Sequence, residues 1–492
     1  MYTTFSQIHH YSIQTPNKIA IINLDRKISY IELIGMIYQT MGHLIEVGTT
    51  LEELVGIETE DPIRHLVGCI AVMEYGAIAV PLPRESSNEF IDIINNLNIK
   101  TIVSTAFTND KDTKVNYIGI DADFNAGSSI NNYEPRNVSP ENIAMVYHTS
   151  GTTSGIRKGV KQSYRMLFET AEYISDVMQM TGEVIEYIAS PVDNAFWFGR
   201  CRVVIKNGGS LVLNKGVLNI FEIMLSIRDH HVNSISGDTS IFVMLLHHMK
   251  EKFCSVGKEI KWVKIASQAM HLTDKKGIIK CLPNAKIVMN YGLTEAMRCT
   301  LLSFNNFPEK LRSVGKSPKG VHVKIVNNDN YETGVGEIFI SGTNLCSGYL
   351  DHGELWEKKY IDGWYATGDI GYLDDDDFLY ITGRNDDALN VGGKTISPLE
   401  IEEVLSKYIN NEIVVTSIES SENILVLVAQ GDIQFETDWK TLRIKLFEVL
   451  PSICVPKELY IAELLPKTSN GKVIRSRVLD RVNNQTYRKY ND

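Results

Sequence analysis

The chain has 492 residues, 43% hydrophobic and 22% charged, the make-up of an ordinary soluble globular protein with enough length for two or more domains. A formal net charge of -11 with no Lys/Arg run argues against nucleic acid as the main partner, because a phosphate backbone requires a basic face. No run of about eighteen apolar residues occurs, and Met1-Tyr2-Thr3-Thr4-Phe5-Ser6 lacks a basic and apolar leader, so membrane insertion is not expected and a cytoplasmic location is. The seven cysteines have no CxxC or paired spacing and read as core fillers, not as a disulfide framework or zinc site.

In chain order, short β-branched runs alternate with amphipathic segments. Ile19 to Asn23 precedes a helix-like Tyr30 to Val47, Val55 to Glu58 precedes His65 to Tyr75 and Ile78 to Val80, and Phe90 to Leu97 leads into Thr101 to Ser104. This is the pattern of a layered α/β fold. Thr108 to Pro140, rich in Asn, Asp and Ser, reads as a less regular connection. Ile143 to Tyr147 reads as a buried strand and Tyr164 to Met178 as a helix, which places the Ser/Thr/Gly-rich loop from Thr149 to Lys158 at a strand-to-helix connection. Glycines there allow close backbone approach, and hydroxyls and N–H groups surround an anion such as a triphosphate. A second α/β stretch continues to about Met289, with strands expected at Tyr187 to Ala189, Ser210 to Leu213 and Lys286 to Met289. Beyond Gly315 the pattern becomes β-rich (Val321 to Val326, Gly336 to Ser341, Phe378 to Thr382), and Asp374 to Asp377 reads as a solvated hairpin tip. After Arg384, a helix at Pro398 to Tyr408, strands at Ile413 to Ser417 and Leu425 to Gln430, and a helix at Trp439 to Val449 suffice for a small α+β domain.

Four ordered motifs, Thr149 to Lys158, Asn290-Tyr291-Gly292-Leu293-Thr294-Glu295, Tyr365-Ala366-Thr367-Gly368-Asp369 with Gly383-Arg384, and Leu465 to Lys472, together resemble the adenylate-forming superfamily of acyl- and aryl-CoA synthetases, stand-alone adenylation enzymes and luciferases. The resemblance covers essentially the whole chain. It implies a large N-terminal α/β domain (1–384, with the β-rich subdomain at about 315–384) and a small mobile α+β C-terminal domain (385–492). The implied activity is that of an ATP-dependent carboxylic acid ligase, which forms an acyl-AMP with release of pyrophosphate and passes the acyl group to a pantetheine thiol on CoA or a carrier protein. ATP and Mg²⁺ are the implied cofactors.

The chemistry has to neutralise two negative reactants. In the implied site, Thr149, Ser150, Gly151, Thr152, Thr153 and Lys158 hold phosphates, and Asn290, Tyr291 and Gly292 flank adenine. Thr294 donates to the α-phosphate, and Glu295 is the Mg²⁺ ligand, because this hard cation prefers carboxylate and phosphate oxygens. Asp369 offers two acceptors to the ribose diol, with Arg384 nearby in sequence. Lys472 stabilises charge as the mixed anhydride forms, and Lys467 is a supporting charge. Asp386 stands at the hinge position, and Gly392-Gly393 would line the thiol path, where a side chain would obstruct.

The chain also departs from the family pattern. Ser154 is inserted in the phosphate loop and Ile156-Arg157 replace a usual x-Pro, Asn390 stands where many acyl-CoA synthetases carry lysine, and Ala266-Ser267-Gln268-Ala269 stands where relatives have Gly-Gly-Glu. The segment holding Asp193, Phe196 and Trp197 corresponds to the acyl pocket. Asp193 suits the ammonium of an amino acid, whereas Leu293 is typical of acyl and aryl activators. Three readings therefore stay open: an acid–thiol ligase, an amino-acid adenylation enzyme loading a carrier protein, and a nucleotide-binding relative without acyl transfer. The sequence does not set the acid, the acceptor or the oligomeric state.

Overall fold

The structure, a computed structural model, describes residues 3–23, 26–83, 88–105, 115–120, 136–148, 158–213, 219–266, 270–327, 334–391, 394–409, 411–418, 424–431, 433, 438–467 and 473–490. The chain forms two compact units: Met1–Thr149 with Lys158–His322 and Ser341–Lys358, and Ser150–Arg157 with Val323–Ile340 and Lys359–Asp492.

The first unit is built on two sheets. In an eight-stranded sheet the order is Thr300–Ser303, Lys286–Tyr291, Trp262–Ala266, Ser234–Asp238, Ile185–Ala189, Ser210–Val212, Ile19–Asn23 and Arg26–Ser29. Every neighbouring pair is parallel except the two outermost pairs. A six-stranded sheet runs Asn116–Gly119, Thr101–Ser104, Leu54–Glu58, Ile78–Pro81, Ile143–His148 and Gly159–Ser163, with only the last pair antiparallel. Buried parallel strands account for the runs of Ile and Val, and several of the intervening helices start on side-chain caps. Ser29 and Glu32 form a capping box on Tyr30–Glu46, Asp61 caps Pro62–Tyr75, and Ser163 caps Tyr164–Met178.

Register sets where the chemistry falls. Ala189 lies beside Gly237, Asp238 beside Ala266 and Ile265 beside Met289, so the C-terminal ends of four parallel strands are level. Ligands of open α/β sheets bind outside these ends.

The second unit contains the sheet of Val321–Val326, Gly336–Gly342, Trp364–Leu373 and Tyr360–Ile361, with Leu379–Arg384 added on Trp364–Leu373. It also contains a four-stranded sheet of Ile413–Ile418, Ile424–Gln430, Glu458–Ala462 and Arg488–Lys489. Alternation along Ile424–Gln430 sends Leu425, Leu427 and Ala429 into one core with Leu405, Trp439 and Leu446, and Val426 and Val428 into another with Val478 and Val482. The Asp374 to Asp377 block is a hairpin tip, where the Asp374 carboxylate accepts from the amides of Asp376 (3.1 Å) and Phe378 (2.9 Å).

Two expectations are corrected. Strand Ile143–His148 continues after the hydroxyl-rich loop into an antiparallel strand, Gly159–Ser163, with His148 opposite Gly159. The loop therefore joins two antiparallel strands, and the helix begins only at Tyr164. Cys254 and Cys281 form a disulfide. Their partnership comes from contact between helices Lys250–Ser255 and Leu272–Cys281 and has no signature in the spacing. The other cysteines are free, four of them buried.

Inside the large sheet, Arg200 and Glu186 are both fully buried and joined through Nη2 and Oε2 at 2.6 Å. Arg200→Leu leaves that carboxylate uncompensated and should cost about 3–5 kcal/mol. Urea unfolding followed by circular dichroism measures it, and a loss below about 1 kcal/mol would mean that the pair is solvated.

Candidate active site

Strand Lys286–Tyr291 delivers Asn290 and Tyr291 to the level strand ends, and the chain then turns sharply. Leu293 and Ala296 exchange backbone hydrogen bonds of 2.8 and 3.2 Å across the turn. A Cβ on Gly292 would lie 2.6 Å from the Arg298 amide nitrogen and 2.9 Å from the Ala296 carbonyl, so only glycine fits there. This turn presents Thr294 and Glu295. The Glu295 carbonyl accepts from the Cys346 amide at 2.8 Å, and its carboxylate Oε1 accepts from the Tyr349 hydroxyl at 2.8 Å. Its Oε2 has no protein partner among the described residues. That leaves one carboxylate oxygen for a hard cation, which fits Mg²⁺ sharing its remaining ligands with phosphates and water. Among the described residues no three His, Cys, Asp or Glu side chains gather around a metal position.

Lys158, at the end of the hydroxyl-rich loop, sets its Nζ 5.1 Å from the centroid of the Tyr349 ring. The loop's last residue and the Glu295 carboxylate thus meet on one tyrosine. Thr149, Ser150, Gly151, Thr152 and Thr153 lie outside the described residues, as do Ser267 to Ala269.

Asp193 sits between strand Ile185–Ala189 and helix Ala195–Lys206. The helix cap is Asn194, whose side chain accepts from the Phe196 amide at 2.9 Å. Phe196 is half-buried, with the Lys264 Nζ 5.9 Å from its ring centroid. Trp197 is buried, edge-on to His65 at 5.7 Å. Lys264 is itself buried and donates to the Ile265 carbonyl (2.7 Å) and the Asn290 Oδ1, tying the adenine-motif asparagine to the next strand.

In the second unit, Asp369 lies within strand Trp364–Leu373, opposite Arg384, and its carboxylate is 3.0 Å from the Arg384 Nε. Gly368 takes φ +78° and donates its amide to Glu337 at 3.1 Å, while the Asp369 amide donates to the Thr367 Oγ1 at 3.0 Å. Read alone the motif resembles a turn, but here it is a kinked strand holding a buried carboxylate. Asp386 is exposed in the one-turn helix Asn385–Asp387. Close by in the sequence, a Cβ on Gly383 would lie 2.7 Å from the Ser397 Oγ. Arg475 makes a two-pronged pair with Glu402, both contacts 2.7 Å, and approaches Asp387 at 3.7 Å. Lys467 pairs with Glu412 at 2.6 Å. Lys472, Gly392 and Gly393 lie outside the described residues.

Sequence reasoning passed over Tyr349, Lys264, Arg202 and Arg298. Arg298 follows the Asn290 to Glu295 motif by three residues, and the sequence carried no signal for it. Its backbone has φ +53°, unusual for a non-glycine residue and a mark of functional positions.

The AMP-binding enzyme family matches residues 9–350. A 2-succinylbenzoate–CoA ligase of Listeria monocytogenes is 26% identical over 487 residues, covering 95% of this chain and 97% of the relative. A long-chain-fatty-acid–CoA ligase of Bacillus subtilis is 29% identical over 357 residues, covering 70% of this chain and 62% of the relative. The fold matches that of the o-succinylbenzoate CoA synthetase of Bacillus subtilis solved with its acyl-adenylate intermediate, with a TM-score of 0.83 at 22% identity over 96% of this chain and 97% of that one. The chain belongs to the AMP-binding enzyme family, within the adenylate-forming superfamily that its motifs resemble. No described helix is long and apolar enough to cross a membrane.

Burial lowers the pKa of His148, next to the hydroxyl-rich loop, to about 4. Burial does the same for His65 beside Trp197, to about 4, partly opposed by its hydrogen bond to the Thr59 carbonyl. Both rings are neutral in the fold at pH values where an unfolded histidine begins to protonate. Their contribution to stability is thus whole above about pH 6.5 and is lost as pH falls toward 4. In NMR titrations neither imidazole should shift between about pH 8 and 5, and a midpoint near 6.5 for either would contradict its burial.

Proposed function

We infer that this chain is an ATP-dependent carboxylic acid–CoA ligase, working in the cytoplasm. A carboxylate oxygen attacks the α-phosphorus of ATP, pyrophosphate leaves, and an acyl-AMP forms. The thiol sulfur of CoA then attacks the acyl carbon, giving up its proton, and AMP leaves. One arrangement supports this above all: the Gly292 turn presents Thr294 and Glu295 beside Tyr349, which Lys158 also meets.

The residue roles follow from chemistry. Lys158, with the hydroxyls of Thr149, Ser150, Thr152 and Thr153 and the Gly151 backbone, offsets the triphosphate charge. Thr294 donates to the α-phosphate, Tyr291 and Asn290 flank adenine, and Asp369, oriented by Arg384, accepts from the ribose hydroxyls. Glu295 would hold Mg²⁺, which when bound would offset the charge of the phosphate oxygens. Lys472 supplies the charge that stabilises the forming anhydride. We further propose that residues 385–492 form a mobile domain pivoting at Asp386 between the two half-reactions, with Gly392-Gly393 along the thiol path. Phe196 and Trp197 wall the acid pocket, with Asp193 at its edge. A second reading, an amino-acid activator loading a carrier protein, draws on Asp193 alone.

Lys472→Ala separates these roles. Acid-dependent pyrophosphate exchange should fall by at least about a hundredfold, while ATP affinity and thioester formation from supplied acyl-AMP stay near wild type. Wild-type exchange in the variant would remove Lys472 from the adenylation step, and no exchange by the wild type with any acid would remove the ligase reading.

A further inference from the structure

Within the first unit, Glu186 lies in one buried electrostatic cluster with Arg200, Arg202, Lys264 and Arg298. Glu186, Arg200 and Lys264 are 0% exposed, Arg202 3% and Arg298 4%. Glu186 is fully engaged. Its Oε1 accepts from the Arg200 Nε (2.8 Å) and the Ser236 hydroxyl (2.7 Å), and its Oε2 from the Arg200 Nη2 (2.6 Å) and the Ser234 hydroxyl (2.7 Å). A carboxylate has about four acceptor positions, so Glu186 serves Arg200 and no other cation. Lys264 is satisfied by the Ile265 carbonyl and Asn290.

Arg202 and Arg298 are different. Arg202 spends its Nη1 on the Leu167 carbonyl, and its Nε and Nη2 have no hydrogen-bond partner among the described residues. The Nη1 of Arg298 has none either, and no described carboxylate pairs with either arginine. The two converge on one point. A Cβ on Gly199 would lie 3.0 Å from the Arg298 Nη2 and 3.9 Å from the Arg202 Nη2. The guanidinium ends are therefore within about 7 Å of each other, where like charges in a low-dielectric interior repel strongly. Burial, with the neighbouring Arg202 and Arg200, pushes the Arg298 pKa well down, and burial lowers that of Arg202 to about 10. An unpaired buried cation is costly, and a fold that keeps two of them facing each other gains when an anion arrives between them.

The chemistry of the gap defines that anion. The Nε and Nη2 of Arg202 are the two prongs of the guanidinium's side edge, whose spacing matches the two oxygens of a carboxylate. Gly199 shares a helix face with Phe196, three residues earlier, so the two guanidinium ends lie on the side of this helix that carries the residue assigned to the acid pocket. An ammonium-bearing substrate would add positive charge to a surplus.

We propose that the acid activated here is a dicarboxylic acid whose non-reacting carboxylate is held between Arg202 and Arg298 above Gly199. This rests on the ligase reading, which makes Phe196 part of the acid pocket. The arginines act as specificity determinants, and the reacting carboxylate lies at the other end of the acid.

Calorimetric titration of the full chain compares malonate, succinate, glutarate, adipate and 2-succinylbenzoate with monocarboxylates of matched length. At least one dicarboxylate should bind about a hundredfold or more tighter than its monocarboxylate counterpart. Arg298→Met and Arg202→Met should each weaken that diacid at least about tenfold and leave monoacids unchanged. Because Arg202 also holds the Leu167 carbonyl, Gly199→Ala serves as a second probe, crowding the gap while keeping both charges, and should weaken the diacid selectively. Equal affinity for mono- and diacids, equal loss of both in the arginine variants, or no diacid binding would each overturn the proposal. Pyrophosphate exchange with the same acids keeps the two claims apart. Exchange driven only by monoacids sinks the diacid site and leaves the ligase standing, whereas selective diacid binding without exchange does the reverse.

Discussion

The contact between Gly292 and the Arg298 amide fixes more of this molecule's chemistry than any other. A side chain at 292 would collide with backbone 2.6 Å away, so the chain can fold back on itself only with glycine there. The fold-back has two results. It sets Thr294 and Glu295 at the end of strand Lys286–Tyr291, beside Tyr349, and it brings Arg298 into the interior above Gly199. The residues assigned to the nucleotide and the residue assigned to the far end of the acid thus sit on one short, rigid turn. Positioning on such a turn places reacting groups at little entropic cost when substrate binds.

The buried charges give the turn its setting. Glu186, held by Arg200, Ser234 and Ser236, lets polar and charged side chains occupy a parallel sheet that would otherwise be apolar throughout. With Glu186 spent on Arg200, Arg202 and Arg298 keep guanidinium N–H groups without a hydrogen-bond partner among the described residues, and these are the groups assigned to the second carboxylate of the acid. The fold therefore carries a standing electrostatic demand for an anion. This is preorganisation of the kind that makes recognition specific, since a substrate without the second charge leaves the demand unmet.

Much of the fold was legible because it obeys simple periodicity. Val321–Val326, Trp439–Val449 and Tyr164–Met178 fall where their apolar spacing places them. Strands Ser234–Asp238 and Trp262–Ala266 were illegible for a physical reason: Ser234, Ser236 and Lys264 break the apolar run, and their polar groups are satisfied by Glu186 and Asn290, which are distant in sequence. The hydroxyl-rich loop was placed before a helix because Gly159–Ser163, with a Lys and a Gln among five residues, has too little apolar character to announce a strand. At the site, motif residues could be named in advance, but Asp369 looked like a turn residue until strand pairing with Arg384 placed it in a sheet. Arg202 and Arg298 were hidden because a sequence does not reveal which arginines lack an acid, and this depends on the whole set of neighbours.

The proposed reaction bonds a carboxylate oxygen of the acid directly to the α-phosphorus of ATP. Oxygen-isotope transfer tests this bond itself. With an acid labelled with ¹⁸O in its carboxylate, turnover with ATP and CoA should place one labelled oxygen in AMP, seen as an upfield-shifted ³¹P resonance of the AMP phosphate, and none in pyrophosphate. Label appearing in inorganic phosphate alongside ADP, with unlabelled AMP, would contradict the account.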